Sequence, residues 1–270
     1  MNTAKTEHVK RLIDKSLATL VENLERGKSE DLMAYIAAMA KFHRYSFRNI
    51  MLIVSQFPEA TQVAGFRAWK KLGRYVKQGQ EGITIIAPMI YRNQDDSQAR
   101  QTDDEPTIRY RAAHVFDISQ TDGEPLPHPA ETDGDPRHYT SHLKSFVESK
   151  QIALEYVDDL AGADGCSTGG AIKLLNTLTP AMEFSVLVHE LAHEMLHWGE
   201  RLGESSKTVR ETEAEAVAFI VSSAIGLSTH TSASDYIQIY DGTVETLEAS
   251  LDAIRRTASE IVAAIAPEAN

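Results

Sequence analysis

The chain has 270 residues, 42% of them hydrophobic and 24% charged, with a formal net charge of −12 at neutral pH. Those proportions exclude a disordered or fibrous protein and suit one large globular domain or two modest ones. Apolar stretches such as Ile83–Ile86 and Val217–Val221 fall far short of the ~18 residues a membrane span needs, and Met1–Lys15 lacks the apolar core of a secretion signal.

From Thr3 to about Arg26, Val9, Leu12, Ile13, Leu17, Leu20, Val21 and Leu24 form a stripe of helical period, ended by Gly27. Ser29, followed by Glu30 and Asp31, opens a second helix to about Phe42, and Ser46 caps a third, Phe47 to Gln56, stopped by Pro58. Residues 63–82 read as a short helix and a glycine-rich turn. Ile83–Arg92 and Thr107–Ile118 then read as two strands around the polar, acidic loop Asn93–Pro106. Residues 120–136, rich in proline, glycine and acid, read as a linker. Beyond it come a helix (about Tyr139–Lys150), a strand (Ile152–Val157), a glycine-rich turn and a strand (Ala171–Leu175). Three more helices follow, from Thr179 to Gly199, from Val209, and over Gly242–Ala266. The pattern is α+β, with a helical and small-antiparallel-sheet domain over 1–125 and a second domain over 137–270. The single cysteine, Cys166, excludes an internal disulfide, fits a reducing cytoplasm and reads as an ordinary loop or core residue.

In the helix opened by Thr179 and Pro180 stands His189-Glu190-Leu191-Ala192-His193. Four residues apart on a helix, the two imidazoles share a face about one turn apart, the separation at which both can bind one zinc ion. Glu190 lies beside them, placed to take a proton from a metal-bound water. A short sheet before such a helix suits a peptide that adds itself to an edge strand. A third ligand is expected from the next helix, whose start carries Glu211, Glu213 and Glu215; Glu211 and Glu215 also read as first-turn carboxylates that the helix dipole favours. Glu213, twenty positions after His193, is favoured, with Glu215 next; Glu211 and Glu215 share a face as an i,i+4 pair. His197, a turn beyond His193, is too far along to reach the same ion and reads as support. Tyr156, His230, Tyr236 and Tyr240 are candidates for stabilising an oxyanion, and the sequence does not choose among them.

The net charge conceals an asymmetry: residues 1–92 hold 15 basic against 8 acidic side chains, and the remainder 12 against 31. Lys41, Arg44, Arg48, Arg67, Lys70, Lys71, Arg74 and Lys77 are interleaved with aromatics and share their span with one acid, Glu59. Cations to track phosphates and rings to stack on bases are the ingredients of a single-strand groove. Trp69 and Tyr75 lead the stacking candidates, with Tyr45 next, while Phe42, Phe47 and Phe66 read as core.

The segments Tyr45-Ser-Phe-Arg-Asn and Val63-Ala-Gly-Phe-Arg-Ala-Trp-Lys-Lys-Leu-Gly-Arg-Tyr-Val-Lys-Gln-Gly-Gln-Glu-Gly-Ile resemble the N-terminal single-stranded-DNA-binding domain of ArdC-type antirestriction proteins. Val115-Phe-Asp-Ile-Ser-Gln-Thr is similar to that domain's last strand. The rear half, through His189–His193 and Glu213-Ala-Glu-Ala, resembles the zincin-like ImmA/IrrE metallopeptidase domain of the same family, although Glu215 stands where those peptidases often have Asn. The resemblance implies Zn2+ held by His189, His193 and Glu213, with Glu190 as general base. It also implies protection of incoming single-stranded plasmid or mobile-element DNA from restriction. One alternative is a regulatory zinc endopeptidase that cleaves a repressor or restriction-related protein, with DNA as tether or trigger. A third is an acidic DNA mimic that occupies a restriction enzyme.

Overall fold

The computed structural model describes residues 3–26, 30–91, 107–125, 135–136, 138–198, 205–227 and 243–266. They belong to two compact units, Met1–Ser16 with Met51–Leu126 and Leu17–Ile50 with Pro127–Asn270. The division falls inside helices α1 (Thr3–Glu25) and α3 (Phe47–Gln56).

In the first unit, β1 (Val63–Gly65), β4 (Thr107–Asp117) and β3 (Ile83–Tyr91) form an antiparallel sheet in that order, with Ala64 opposite Phe116 and Ile83 opposite Val115. The edge of β3 is covered at one point by Gln56. Its side-chain amide donates to the Thr84 carbonyl at 2.9 Å and accepts from the Thr84 N–H at 3.0 Å, as a neighbouring strand would. Helix α4 (Phe66–Lys71) is tied to this sheet by Trp69, whose indole N–H donates to the Phe116 carbonyl at 2.9 Å. Asp117 gathers the far end by accepting from the N–H groups of Thr61, Gln62 and Ser119 at 2.7, 3.0 and 3.0 Å. A 3-10 turn, Ile118–Gln120, leads into β5 (Thr121–Gly123), which pairs antiparallel with β2 (Arg74–Val76). Gly123 has φ +135°, and a Cβ there would lie 2.3 Å from the Gly73 carbonyl oxygen, so only glycine fits.

That pairing takes in the head of the expected linker. Its first residues, 120–123, belong to the turn and to β5, because Arg74 pins them: its guanidinium donates to the carbonyls of Thr121, Gly123 and Glu124 and to the Thr121 hydroxyl. Residues 126–134 of the expected linker lie outside the described residues, as does the acidic loop Asn93–Pro106.

In the second unit, β6 (Ala153–Val157), β8 (Ala171–Leu175) and β7 (Gly165–Ser167) form a sheet in that order, with β6 parallel to β8 and β7 antiparallel to it. Helices α5 (His138–Ser149), α6 (Pro180–Leu196), α7 (Lys207–Ala224) and α8 (Val244–Ile265) supply the core. Phe184, Leu187, Val188 and Leu191 of α6, Val217, Ile220 and Val221 of α7, and Leu251, Ile254 and Ile261 of α8 are all buried. Helix α2 (Glu30–Lys41) packs against α7 through a face that buries Leu32, Tyr35, Ile36 and Met39. Residues 17–50 therefore cluster with the rear of the chain, where the sequence placed all of 1–125 in one domain. An amphipathic stripe shows that a helix is buried on one side and leaves open which partner covers it.

Candidate metal centre and nucleic-acid interface

Thr179 caps α6, its hydroxyl accepting from the Met182 N–H, and Pro180 occupies the first turn, where its missing N–H costs nothing. The apolar face of α6 then fixes the rotation of His189 and His193, whose Nε2 atoms lie 3.1 Å apart. Glu211, on the second turn of α7, places Oε2 3.5 Å from each of them. Among the described residues, His189, His193 and Glu211 make up one group whose ligand atoms could hold a metal ion. The distances can be tested against the chemistry. Four donors at about 2.0–2.1 Å from a tetrahedral zinc stand about 3.3 Å from one another. The three separations here bracket that value, and a half-exposed Glu211 leaves room for a fourth position on the open side.

Burial, with His189 alongside, pushes His193 down to about 4, so its ring is neutral and a nitrogen lone pair is available for an ion. For His189, burial works downward but the carboxylates of Glu215, Glu190 and Glu211 outweigh it and hold it above its ordinary value. Glu215 Oε2 sits 3.5 Å from His189 Nδ1, behind the ring rather than at the cluster. Carboxylates in that position orient a ligating imidazole.

Glu213 is elsewhere. Two residues on from Glu211 it is turned about 200° around the helix, and it is 1% exposed. Its Oε2 lies 2.8 Å from His197 Nε2, and its Oε1 accepts from the Ser250 hydroxyl of α8. His197 Nδ1 is in turn 2.9 Å from His193 Nδ1. A lone pair on His193 Nε2 requires the proton on its Nδ1. His197 then accepts there and donates from Nε2 to Glu213. So the acid favoured by spacing supports the histidine row through His197, and the acid that meets both imidazoles is Glu211. The signal was present in the i,i+4 pairing of Glu211 with Glu215, which puts both on the face turned to His189.

Glu190 is 7% exposed, and burial raises its carboxyl above the usual carboxylate range; the nearby His189 and the Ser167 backbone N–H oppose that shift. Strand β7 can come this close because Gly165 has no side chain. A Cβ there would meet Val186 Cγ1 at 2.7 Å and Glu190 Cγ at 2.9 Å. Glu194, one turn beyond Glu190, accepts from the N–H groups of Thr168, Gly169 and Gly170 and so fastens the β7–β8 turn to α6. Between β7 and the start of α7 lies a cleft of about 520 Å³. It is lined by Cys166, Ser167, the three histidines, Glu190, Glu211, Trp198, Lys207 and Arg210. Of the oxyanion candidates, Tyr156 donates to Glu183 at 2.5 Å and is not among the residues lining that cleft. His230, Tyr236 and Tyr240 lie outside the described residues.

The expected nucleic-acid residues divide between the two units. Lys41, Arg44, Tyr45 and Arg48 belong to the second, and Arg67, Trp69, Lys70, Lys71, Arg74, Tyr75 and Lys77 to the first. Lys41, Arg44, Arg67, Lys70, Lys71 and Lys77 are exposed, and Tyr75 is 59% exposed. Tyr45 is half-buried, and Arg48 is engaged with Glu248 at 2.5 Å. Two expectations do not hold at the surface. Trp69 is 2% exposed and spends its N–H on the sheet, so no ring face is left for a base; Arg74 is buried in the β2–β5 pairing. Phe66, expected in the core, is instead 56% exposed, and Tyr110 on β4 is 60% exposed. Phe66 and Trp69 are three residues apart on α4, and spacing alone does not say which one faces the sheet.

Fold and site together describe an α+β protein with a His-His-Glu cluster that can hold a divalent metal in one unit and a cationic, aromatic surface in the other. Residues 4–116 match, as a family, the N-terminal domain of anti-restriction factor ArdC. The crystal structure of metal-free antirestriction ArdC from the R388 plasmid superimposes with a TM-score of 0.50 at 16% identity, covering 97% of this chain and 99% of that one; its Mn(II)-bound structure gives 0.48. The front of the chain thus carries an ArdC-type N-terminal domain, and the chain shares the ArdC fold. An uncharacterized protein of Bacillus anthracis is 26% identical over 95% of this chain and 51% of its own length, so the chain spans about half of that relative.

Proposed function

We propose that this is a cytoplasmic antirestriction protein of ArdC type. Its first unit holds incoming single-stranded plasmid or mobile-element DNA, and its second is a zinc metallopeptidase. The match of residues 4–116 carries the antirestriction reading. The exposed set Phe66, Arg67, Lys70, Lys71, Tyr75 and Lys77 supports contact with unpaired bases and their phosphates. The metallopeptidase reading rests on the triangle of His189, His193 and Glu211 with Glu190 at its side. Among the described residues, no helix is long and apolar enough to cross a membrane.

His189, His193 and Glu211 would hold the ion, whose contribution when bound is to polarise a water and the scissile carbonyl. The chain's own part is proton handling. Glu190, shifted upward by burial and steadied by the Ser167 N–H, takes a proton from the attacking water at a carboxylate oxygen and returns it to the leaving amine. Glu215 and the His197–Glu213 pair keep the two imidazoles turned to the site. Strand β7, at the edge of its sheet beside Glu190, is where an extended peptide would lie.

The test has two arms. Titration of the full chain with single-stranded and duplex oligonucleotides at rising salt is expected to show a preference for single strands and an affinity that falls with salt. Equal binding to duplex would end the single-strand reading. A restriction-protection assay with Glu190→Gln is expected to retain protection. Its loss with DNA binding intact would favour the second reading, a regulatory endopeptidase that cleaves a repressor or restriction-related protein. The cleft on the β7 edge is the observation that favours that alternative.

A further inference from the structure

The cleft beside the histidines carries charges that the reaction chemistry leaves unused. Its acids are already committed: Glu211 faces both imidazoles and Glu190 is the buried proton carrier. Its cations, Lys207 and Arg210, stand in the first turn of α7, which contains no acid. Helix dipoles favour carboxylates there, so two cations in that turn work against the helix that bears them. Arg210 is held in place by donating from its guanidinium to the Ser205 carbonyl, and Lys207 is exposed. Lys207 precedes Glu211 by four residues, about 6 Å of helical rise, which equals one to two residues of extended peptide. Trp198, 38% exposed, lines the same cleft and offers an apolar wall for a side-chain stem.

We propose that Lys207 and Arg210, with Trp198, select a peptide carboxylate one or two residues from the bond that lies over His189 and His193. This rests on the metallopeptidase reading and names its substrate class. The carboxylate has two sources, an internal Asp or Glu side chain and a free C-terminus. Arginine and lysine bind either through charge-assisted hydrogen bonds, so a Gln isostere bearing an amide loses most of the attraction.

The experiment uses the full Glu190→Gln chain loaded with zinc, so that binding is read without turnover. Three blocked peptides, identical but for Glu, Gln or Lys at one central position, are titrated by calorimetry, together with an all-neutral peptide carrying a free C-terminal acid. The Glu peptide, the free-acid peptide or both are expected to bind about tenfold more tightly than the Gln peptide. Which of the two does so identifies the source. Adding Lys207→Glu and Arg210→Glu is expected to abolish that margin and favour the Lys peptide. Equal affinity for all four peptides, or a margin that survives the double charge reversal, overturns the proposal. Cleavage by the unsubstituted chain is scored separately. Carboxylate-selective binding without cleavage would refute the peptidase reading alone, and cleavage indifferent to the carboxylate would refute only the selectivity.

Discussion

The imidazole of His197 and the carboxylate of Glu213 lie 2.8 Å apart, both almost wholly buried, one at the end of α6 and the other on α7. Through His197 the pair reaches His193 Nδ1, and through Ser250 it reaches α8. It is therefore both a structural tie between three helices and the means by which His193 is kept facing the cluster.

Removing either acid separates these roles. Glu213→Ala strands a buried imidazole N–H and a buried hydroxyl and is expected to cost about 1–3 kcal/mol of stability for each. It should also weaken metal binding roughly 10–100-fold through the misplaced His193. Glu211→Ala, whose side chain is 50% exposed, should leave thermal unfolding of the metal-free chain nearly unchanged while lowering metal affinity further. Thermal melts with parallel zinc titrations decide it. Full affinity in Glu211→Ala would remove that residue from the ligand set.

The two aromatic residues of α4 should behave oppositely. Trp69→Ala empties a core position and breaks its bond to Phe116, for an expected loss of about 3–5 kcal/mol. Phe66→Ala and Tyr75→Ala should barely change stability. Each stacked base lost should cost single-strand affinity about 1–3 kcal/mol. Chemical denaturation and fluorescence titration read the two quantities separately, and undiminished affinity in both exposed variants would remove this face from the interface.

Gly165→Ala places a methyl group against Val186 and Glu190. Strand β7 must then move off α6, so on the proposed function peptide cleavage is expected to fall sharply while zinc content, which the proposed ligands His189, His193 and Glu211 would set, stays the same. Metal analysis beside a peptidase assay tests this, and unchanged cleavage would show that β7 does not need its close approach to Glu190.

Asp117 gives a pH dependence. Burial pushes its carboxyl up, but the N–H groups of Ser119, Thr61 and Gln62 outweigh that and hold it below the usual range. A folded-state value below the unfolded one, about 3.9 for aspartate, means stabilisation that is complete above the unfolded value and lost as pH falls through the folded one. The stability gap between the unsubstituted chain and Asp117→Asn should therefore be widest near neutrality and close below about pH 4. Unfolding curves collected down the acid range measure it; a gap independent of pH would contradict the assignment.

Much of this molecule was legible in one dimension. An apolar stripe of helical period marked α1, capping residues and prolines marked α2, α3 and α6, and the pair His189 and His193 followed from a spacing that any helix turns into a shared face. The three-residue strands β1, β2, β5 and β7 were not legible, because so short a run has no period to detect and forms only when a partner strand is present. Charge was legible as an excess of lysine and arginine before residue 92, but not which of those side chains reach solvent.

What the sequence determined alone, then, was local: helix identity, the imidazole pair with Glu190 beside it, and the cationic character of the front. What needed the folded chain was every choice between near neighbours: Glu211 over Glu213 at the histidines, Phe66 over Trp69 at the surface, and residues 17–50 with the rear of the chain. The reason is geometric. Periodicity says that a helix has a buried face, while the rotation of one helix against another, set by how their side chains pack, decides which residue two places away points into the site and which into the core.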